Sequence, residues 1–252
     1  MTTKDSLSGR VALVTGGSRG IGAATAHALA GAGATVIVTH RDSQEGARSV
    51  VESLPGRGHR LVRASATDTP ALNALAEDIA ANEGRLDVLV NNAATTRVIP
   101  HDDLDALDDE LFDLIFRTNV RGPFATIRAV RTLLDADPGG VVVNISSLAS
   151  QMANGSNVAY CASKAALDNM TKSLARALAP RVRVLSVAPG LVDTELTRGW
   201  DPERRRDMME RTPLGRLATT EDVATAVLAA ILSLPATTGV VIAVDGGRPL
   251  EG

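Results

Sequence analysis

Hydrophobic and polar positions along this chain fall into two alternating textures. Short Val-rich runs, which predict strands, lie at Arg10–Thr15, Thr35–Thr39, His59–Ala64, Asp87–Asn91, Gly140–Ile145, Arg181–Val187 and Val240–Val244. Between them run longer Ala- and Leu-rich segments with helical periodicity, at Gly20–Ala32, Gln44–Leu54, Pro70–Asn82, Leu107–Leu134, Val158–Ala179 and Glu221–Ser233. Strand–helix alternation of this kind is the βαβ pattern. Seven strands with right-handed helical crossovers make one doubly wound parallel sheet with helices on both faces. No linker, repeat or low-complexity stretch interrupts it, so a single domain over residues 1–252 is expected. The least regular segment, Thr194–Thr212, reads as a short helical excursion over the carboxyl edge of the sheet. Ligands bind outside that edge in this architecture, which makes the excursion a candidate substrate lid.

Composition narrows the picture without changing it. A hydrophobic content of 44% supports a large core, and only 2% aromatic residues beside abundant Ala, Val and Gly suits close-packed helices on buried strands. The net charge of −3 carries no basic stripe for nucleic acid. Arg204-Arg205-Arg206 is hemmed in by Asp201, Glu203, Asp207 and Glu210 and reads as a solvated helix face. One cysteine, Cys161, allows no internal disulfide and fits a reducing compartment. His27, His40, His59 and His101 lack metal-ligand spacing, so no metal is expected. The polar start of the chain lacks a signal-peptide core, and the longest near-continuous apolar stretch, Val223–Leu232, is too short for a bilayer. A cytoplasmic protein with no membrane or nucleic-acid partner is the expectation.

Two local motifs carry chemistry. After the first strand comes Thr15-Gly16-Gly17-Ser18-Arg19-Gly20-Ile21-Gly22, opening a helix. Glycines there permit a tight turn and close backbone approach, and the helix N-terminus offers N–H donors to phosphate. Glycines are common in loops, so it is the placement between strand and helix that carries the reading. No Gly-Lys-Ser/Thr ending follows, so this is not a P-loop. Further on, Tyr160 and Lys164 are four residues apart on a helical stretch and share a face. A cation beside a phenol lowers its pKa toward the range useful for proton transfer with an alcohol. The bland alternative is a surface Tyr and Lys. The chain has a single tyrosine and three lysines (Lys4, Lys164, Lys172), and uniform placement would produce this spacing about 1% of the time. Asn144-Ile145-Ser146-Ser147 ends the fifth strand, where a serine hydroxyl can donate to a carbonyl oxygen; for either serine alone, loop capping is the default.

With these residues in view, the chain resembles the short-chain dehydrogenases/reductases from about Leu7 to Gly247. The matching motifs are Thr15–Gly22, Asn91-Asn92-Ala93-Ala94, Asn119, Ser147, Tyr160-x-x-x-Lys164, Pro189-Gly190 and Val244-Asp245-Gly246-Gly247. The resemblance implies a Rossmann-type nucleotide-binding fold and a catalytic set of Asn119, Ser147, Tyr160 and Lys164. Tyr160 would be the general acid in reduction and the base in oxidation. Lys164 would lower its pKa and hold ribose hydroxyls, and Ser147 would polarise the carbonyl. Asn119 would interrupt its helix and hold a relay water. Hydride would pass directly between nicotinamide and substrate carbon, without a metal. Implied cofactor contacts are Gly16, Ser18, Arg19, Gly20, Ile21, His40, Arg41, Ser65, Ala66, Asn92, Ala93, Ala94, Tyr160, Lys164, Pro189, Gly190, Val192 and Thr194.

The end of the second strand normally reads the ribose. His40 stands there instead of an acid, followed by Arg41, with Arg19 in the glycine turn; two guanidiniums suit a 2′-phosphate and favour NADP(H). The competing reading, NAD(H), makes Asp42 the ribose ligand with Arg41 in solvent. Near the adenine, where many relatives carry an acid, this chain has Ser65, with Asp68 three residues on. The substrate side implied by the resemblance lies at Thr95–Thr96, Leu148–Asn157 and Leu191–Arg211. It contributes Ala149, Gln151, Met152, Leu191, Leu196, Trp200 and Met208, mostly apolar. A free ketone or secondary alcohol is expected ahead of a 3-oxoacyl thioester on acyl-carrier protein. The carrier is acidic and should meet a basic surface, whereas the turn before the fifth strand offers Asp135 and Asp137, partly offset by Arg128, Arg131 and Arg181. The long helices Leu107–Leu134 and Val158–Ala179 are the surfaces relatives use to assemble, so a homotetramer or homodimer is expected. A nucleotide-sensing protein without turnover and a cofactor-free dehalogenase on the same fold are the rival readings. All four catalytic positions are filled, which opposes the first; the intact glycine turn and Lys164 oppose the second.

Overall fold

The structure, a computed structural model, describes residues 6–194 and 201–248. Seven parallel strands form one sheet in the order β3-β2-β1-β4-β5-β6-β9. They are β1 (Val11–Val14), β2 (Thr35–His40), β3 (Arg60–Arg63), β4 (Val88–Asn91), β5 (Gly140–Ile145), β6 (Val182–Pro189) and β9 (Val241–Val244). The order reverses between β1 and β4, and that switch point opens a crevice at the carboxyl edge.

The strands are nearly continuous Val, Ile and Leu because helices cover both faces. On one face, α1 (Gly20–Gly31), α2 (Gln44–Ser53) and α9 (Thr220–Leu232) bury Ala26, Leu29, Ala47, Val223, Val227 and Ile231 against Val14, Val36 and Val38. On the other, α3 (Thr69–Asn82) and α5 (Gly122–Leu134) bury Leu72, Leu75, Ile79, Ile127, Val130 and Leu134 against Leu13, Ile37, Leu89 and Val142. Each such side chain contributes about 1.5–3 kcal/mol by leaving water. Small alanines in place of aromatics let the helices sit close to the sheet. Local sequence sets the helix starts: Asp68 caps α3, and Thr219 with Asp222 forms a reciprocal capping box on α9.

Three features depart from the expected elements. The segment predicted as one helix over Leu107–Leu134 is α4 (Asp109–Phe116, capped by Asp108), a π-helical turn at Arg117–Arg121, and α5. The Gly122 N–H reaches back to the Arg117 carbonyl, inserting one residue into the helical register. Apolar periodicity survives such an insertion, which is why it reads as one helix. A short α6 (Ala149–Met152) follows β5, before α7 (Val158–Leu178). A two-stranded parallel pair joins β7 (Val192–Asp193) to β8 (Ala218–Thr219), too short to leave a periodic signature. The excursion expected at Thr194–Thr212 contains a helix, α8 (Pro202–Glu210), capped by Asp201.

Candidate active site

At the carboxyl edge of β1 the glycine turn is held by β4 and β2. The Asn92 amide donates to the Thr15 and Gly16 carbonyls at 3.0 and 2.9 Å, and the Gly17 N–H donates to the Thr39 carbonyl at 3.2 Å. Ala93 N–H donates to Thr15 Oγ1 at 3.1 Å. A Cβ on Gly22 would lie 2.5 Å from Asn92 Nδ2 and 2.6 Å from the Gly16 carbonyl, so only glycine fits. Gly20 differs: its φ is +56°, and a Cβ there would meet nothing within 4 Å. The twelve-residue α1 begins at this position with no side-chain cap on its first turn. An uncapped helix start facing open space is the donor set a phosphate group requires.

The Tyr–Lys face lies across the crevice. Asn157 caps α7, accepting from the Tyr160 N–H at 2.7 Å, and its amide donates to the Arg97 carbonyl at 2.7 Å and Thr96 Oγ1 at 3.2 Å. Tyr160 is thereby set in the first turn of α7, beside the loop after β4. Burial raises the Tyr160 phenol above its ordinary range, against the lowering effect of a hydrogen bond with Ser147. Desolvation thus outweighs the lowering effect of Ser147 on the phenol. Lys164 is buried, with Nζ donating to the Ile145 carbonyl at 2.8 Å and lying 5.7 Å from the Tyr160 ring centre. Burial lowers its ammonium to about 8, with the Asp168 charge acting in the opposite direction. Ser147 accepts from the Ala149 N–H at 3.2 Å at the start of α6.

Asn119 sits in the π turn. Its amide donates to the Thr95 carbonyl at 3.0 Å and Ser163 Oγ at 3.1 Å, and its oxygen accepts from the Thr95 N–H at 2.8 Å. It locks the loop after β4 to α7. Asn119 is buried, and its bond to Ser163 joins it to α7, the helix that carries Tyr160 and Lys164.

The chain is similar over most of its length to known proteins. A family model described as Enoyl-(Acyl carrier protein) reductase matches residues 16–248. A chain assigned as ketoacyl reductase 2 of the granaticin polyketide synthase of Streptomyces violaceoruber is 40% identical, over 95% of this chain and 96% of that one. The 3-oxoacyl-(acyl-carrier-protein) reductase FabG of Escherichia coli (strain K12) is 38% identical, over 87% of this chain and 88% of its own length. A crystal structure assigned as a short-chain dehydrogenase/reductase from Burkholderia xenovorans superposes with a TM-score of 0.89 at 37% identity, covering 96% of this chain and 98% of that one.

The chain belongs to the short-chain dehydrogenase/reductase family. It is an oxidoreductase that interconverts CH–OH and C=O groups, and membership carries with it binding of a nicotinamide dinucleotide. The glycine cradle and uncapped α1 fit that group.

For this short-chain dehydrogenase/reductase the β2 end is more basic than the sequence indicated. His40 is buried with Nδ1 lacking a hydrogen-bond partner. Arg41 and Asp42 are both exposed and pair with each other at 2.5 Å. Arg63 was missed. It is in register with His40 across β2–β3 and its Nε donates to the Arg41 carbonyl at 3.4 Å. The signal available in the sequence was its place at the end of the third strand. On the adenine side, Ser65 Oγ bonds Thr67 Oγ1 at 2.9 Å and Asp68 is spent on capping α3, while Ala66 packs against Gly122.

On the substrate side the expectations divide. Ala149 is buried beside Ser147, and Leu191 and Thr194 flank β7 at the crevice. Pro189 accepts from the Leu148 N–H at 2.8 Å, and Gly190 donates to the Val244 carbonyl at 3.0 Å, tying β6 to the Ser147 loop and to β9. Gln151 lines a cavity of about 230 Å³ with Ala165, Asp168, Asn169 and Lys172, along α7 and beyond Tyr160. Met208 is half-buried and its sulfur accepts from Arg248 at 3.6 Å. Leu196 and Trp200 lie outside the described residues. The reading of Arg204-Arg205-Arg206 as a solvated face fails at Arg205, whose guanidinium bonds both Asp193 oxygens at 3.1 and 2.7 Å and ties α8 to β7.

The carrier-protein argument from Asp135 and Asp137 also needs correction. That turn precedes β5 and therefore lies at the amino edge of the sheet, roughly 20 Å along the six-residue strand from Ser147. Arg181 donates to the Asp135 backbone carbonyl at 2.9 Å and lies 4.0 Å from the Asp135 carboxylate and 3.5 Å from that of Asp137. Charge at that distance says nothing about what docks at the crevice.

Proposed function

We propose that this enzyme is an NADP(H)-dependent reductase of a ketone to a secondary alcohol, reversible in principle, with Tyr160 as general acid. The observation that carries it is Lys164, buried one turn after Tyr160 on α7 and anchored on the Ile145 carbonyl at the end of β5, two residues before Ser147. A bound nicotinamide would supply or accept the hydride at the substrate carbon. Ser147 donates to the carbonyl oxygen and orients it. Tyr160, kept in its phenol form by burial, gives its proton to that oxygen as negative charge develops. Lys164, with N–H groups beyond the one on Ile145, steadies the phenolate left behind and holds ribose hydroxyls. Asn119 and a water beside it return the proton.

The preference for NADP(H) rests on Arg19, Arg41 and Arg63 near the end of β2 and on the absence of an acid at position 40. Val192 and Thr194 would hold the carboxamide, and the glycine turn with Ser18 and Ile21 would hold the phosphates. Exposed Phe112, Phe124 and Val158, on α4, α5 and α7, support self-association through these helices.

The decisive experiment follows loss of reduced-nicotinamide absorbance with NADPH and a carbonyl panel. Tyr160→Phe should fold and bind NADPH normally and lose about 10²–10⁴ of turnover; substantial remaining activity would sink the assignment. A second reading, reduction of a 3-oxoacyl thioester on a carrier protein, is favoured by the names of two relatives at 40% and 38% identity. Much higher kcat/KM with acetoacetyl-carrier protein than with small ketones would establish it over a free ketone.

A further inference from the structure

Among the described residues, the buried acidic and basic side chains other than His40 are Asp87, Lys164 and Asp168. Asp87 lies at the amino edge of the sheet and is met by Arg10 and Arg85, each at 2.6 Å. Lys164 and Asp168 have no such ion pair. Lys164 touches a neutral carbonyl, that of Ile145. Asp168 accepts from Ser150 Oγ at 2.6 Å on Oδ2, while its enclosed Oδ1 has no hydrogen-bond partner. A buried charge is costly unless an opposite charge answers it. Tyr160, Lys164 and Asp168 follow one another at four-residue steps, so they occupy one face of α7 on successive turns.

We propose that Asp168 is the counter-charge that keeps Lys164 ionised, a positioning residue that acts on Tyr160 only through the lysine, with Ser150 holding its carboxylate in place. The inference rests on the roles given to Tyr160 and Lys164 above. The surroundings leave no other candidate among the described residues. Around Lys164, α7 itself brings Tyr160, Cys161 and Asp168, with Lys172 one turn beyond Asp168. β5 contributes the Ile145 carbonyl, the π turn the buried and uncharged Thr118 and Asn119, and α6 the uncharged Ser150 and Gln151. The acids of α4, Asp109, Glu110 and Asp113, are exposed, and Arg183 of β6 is turned to the Ala230 and Ile231 carbonyls of α9. The opposing effects of burial and Asp168 on the Lys164 ammonium agree with this arrangement.

The test needs no turnover. With three lysines in the chain, ¹³C-lysine labelling yields a simple spectrum, assigned with Lys4→Arg and Lys172→Arg. In the cofactor-free protein the Lys164 Cε resonance should titrate near 8. In Asp168→Asn its midpoint should fall by about half a unit or more, and Asp168→Glu should restore it. An unchanged midpoint in Asp168→Asn overturns the proposal. Should that variant not fold, the unaltered protein decides: the Lys164 resonance should carry a second, smaller inflection in the carboxylate range, and its absence overturns the proposal equally. In kinetics, the basic limb of kcat/KM for carbonyl reduction should move to lower pH in Asp168→Asn, whereas a packing role alone would lower the rate equally at every pH. A moved resonance with an unmoved limb supports the counter-charge and instead sinks the proton role assigned to Tyr160 and Lys164.

Discussion

Asn91 and Asn144 are register partners on β4 and β5, and the Asn91 amide donates to the Asn144 side-chain oxygen at 2.9 Å. The Asn144 amide in turn donates to Thr171 Oγ1 at 2.8 Å, and Thr171 meets Ser186 Oγ at 2.8 Å. A buried polar chain thus runs across three strands and up into α7. It fixes the height and rotation of the helix that carries Tyr160 and Lys164, because an apolar contact could slide where a hydrogen-bonded one cannot. Asn91 marks the β4 end of this chain and Ser186 the β6 end.

Asn144→Ala should therefore be costly. It removes one side chain and leaves the buried Asn91 amide without its partner, besides leaving a cavity and cutting the link to Thr171. A loss of about 2–4 kcal/mol is expected in urea unfolding. A loss under about 1 kcal/mol would mean the chain does not anchor α7.

Gly20 and Gly22 should respond differently to alanine. At Gly22 the new Cβ collides with Asn92 and the Gly16 carbonyl, so stability and cofactor binding should fall together. At Gly20 the Cβ meets nothing within 4 Å, and only the left-handed φ of +56° is strained, at about 1 kcal/mol. That Cβ stands where phosphate is expected, so Gly20→Ala should keep most stability and lose NADPH affinity at least about tenfold. Thermal unfolding and cofactor titration on both variants check the contrast.

Arg41→Ala and Arg63→Ala should each weaken NADPH binding while leaving NADH nearly unchanged. A charge-assisted contact to phosphate suggests about tenfold for each. Because Arg41 also engages Asp42, its loss frees that acid, and some gain in NADH affinity is expected. Equal effects on both cofactors would argue against a phosphate clamp at the β2 end.

Lys164 makes stability depend on pH in a definite direction. Its folded-state value, about 8, is below the ordinary lysine range near 10.5. Between these the unfolded chain binds more protons, so the contribution rises with pH through roughly 8 to 10.5 and is flat below. The full span is about 3 kcal/mol. The stability difference between the unaltered protein and Lys164→Met, measured by urea unfolding from pH 7 to 10.5, should grow in favour of the unaltered protein. A flat difference would mean Lys164 titrates normally.

What the sequence determined by itself was everything that depends on residues near one another along the chain. The strand–helix alternation, the glycine turn, and Tyr160 and Lys164 one helical turn apart are local patterns, and the seven-stranded sheet follows from them by general rules of connection. Only the tertiary structure decided relations between elements. The Leu107–Leu134 stretch kept its apolar periodicity while a π turn broke it, and Asn119 is buried in that turn. Arg63 reached the β2 end through parallel register, and Arg205 left its apparent solvent face for Asp193 on β7. The acidic turn at Asp135 and Asp137 proved to be at the wrong edge of the sheet. Gln151 joined Ala165 and Asp168 in lining a cavity along α7. Spacing places Tyr160 and Lys164 on one face, but burial decides their protonation, and burial depends on packing contributed by distant segments. The Tyr–Lys pair was legible from spacing; the desolvation that sets its chemistry was not.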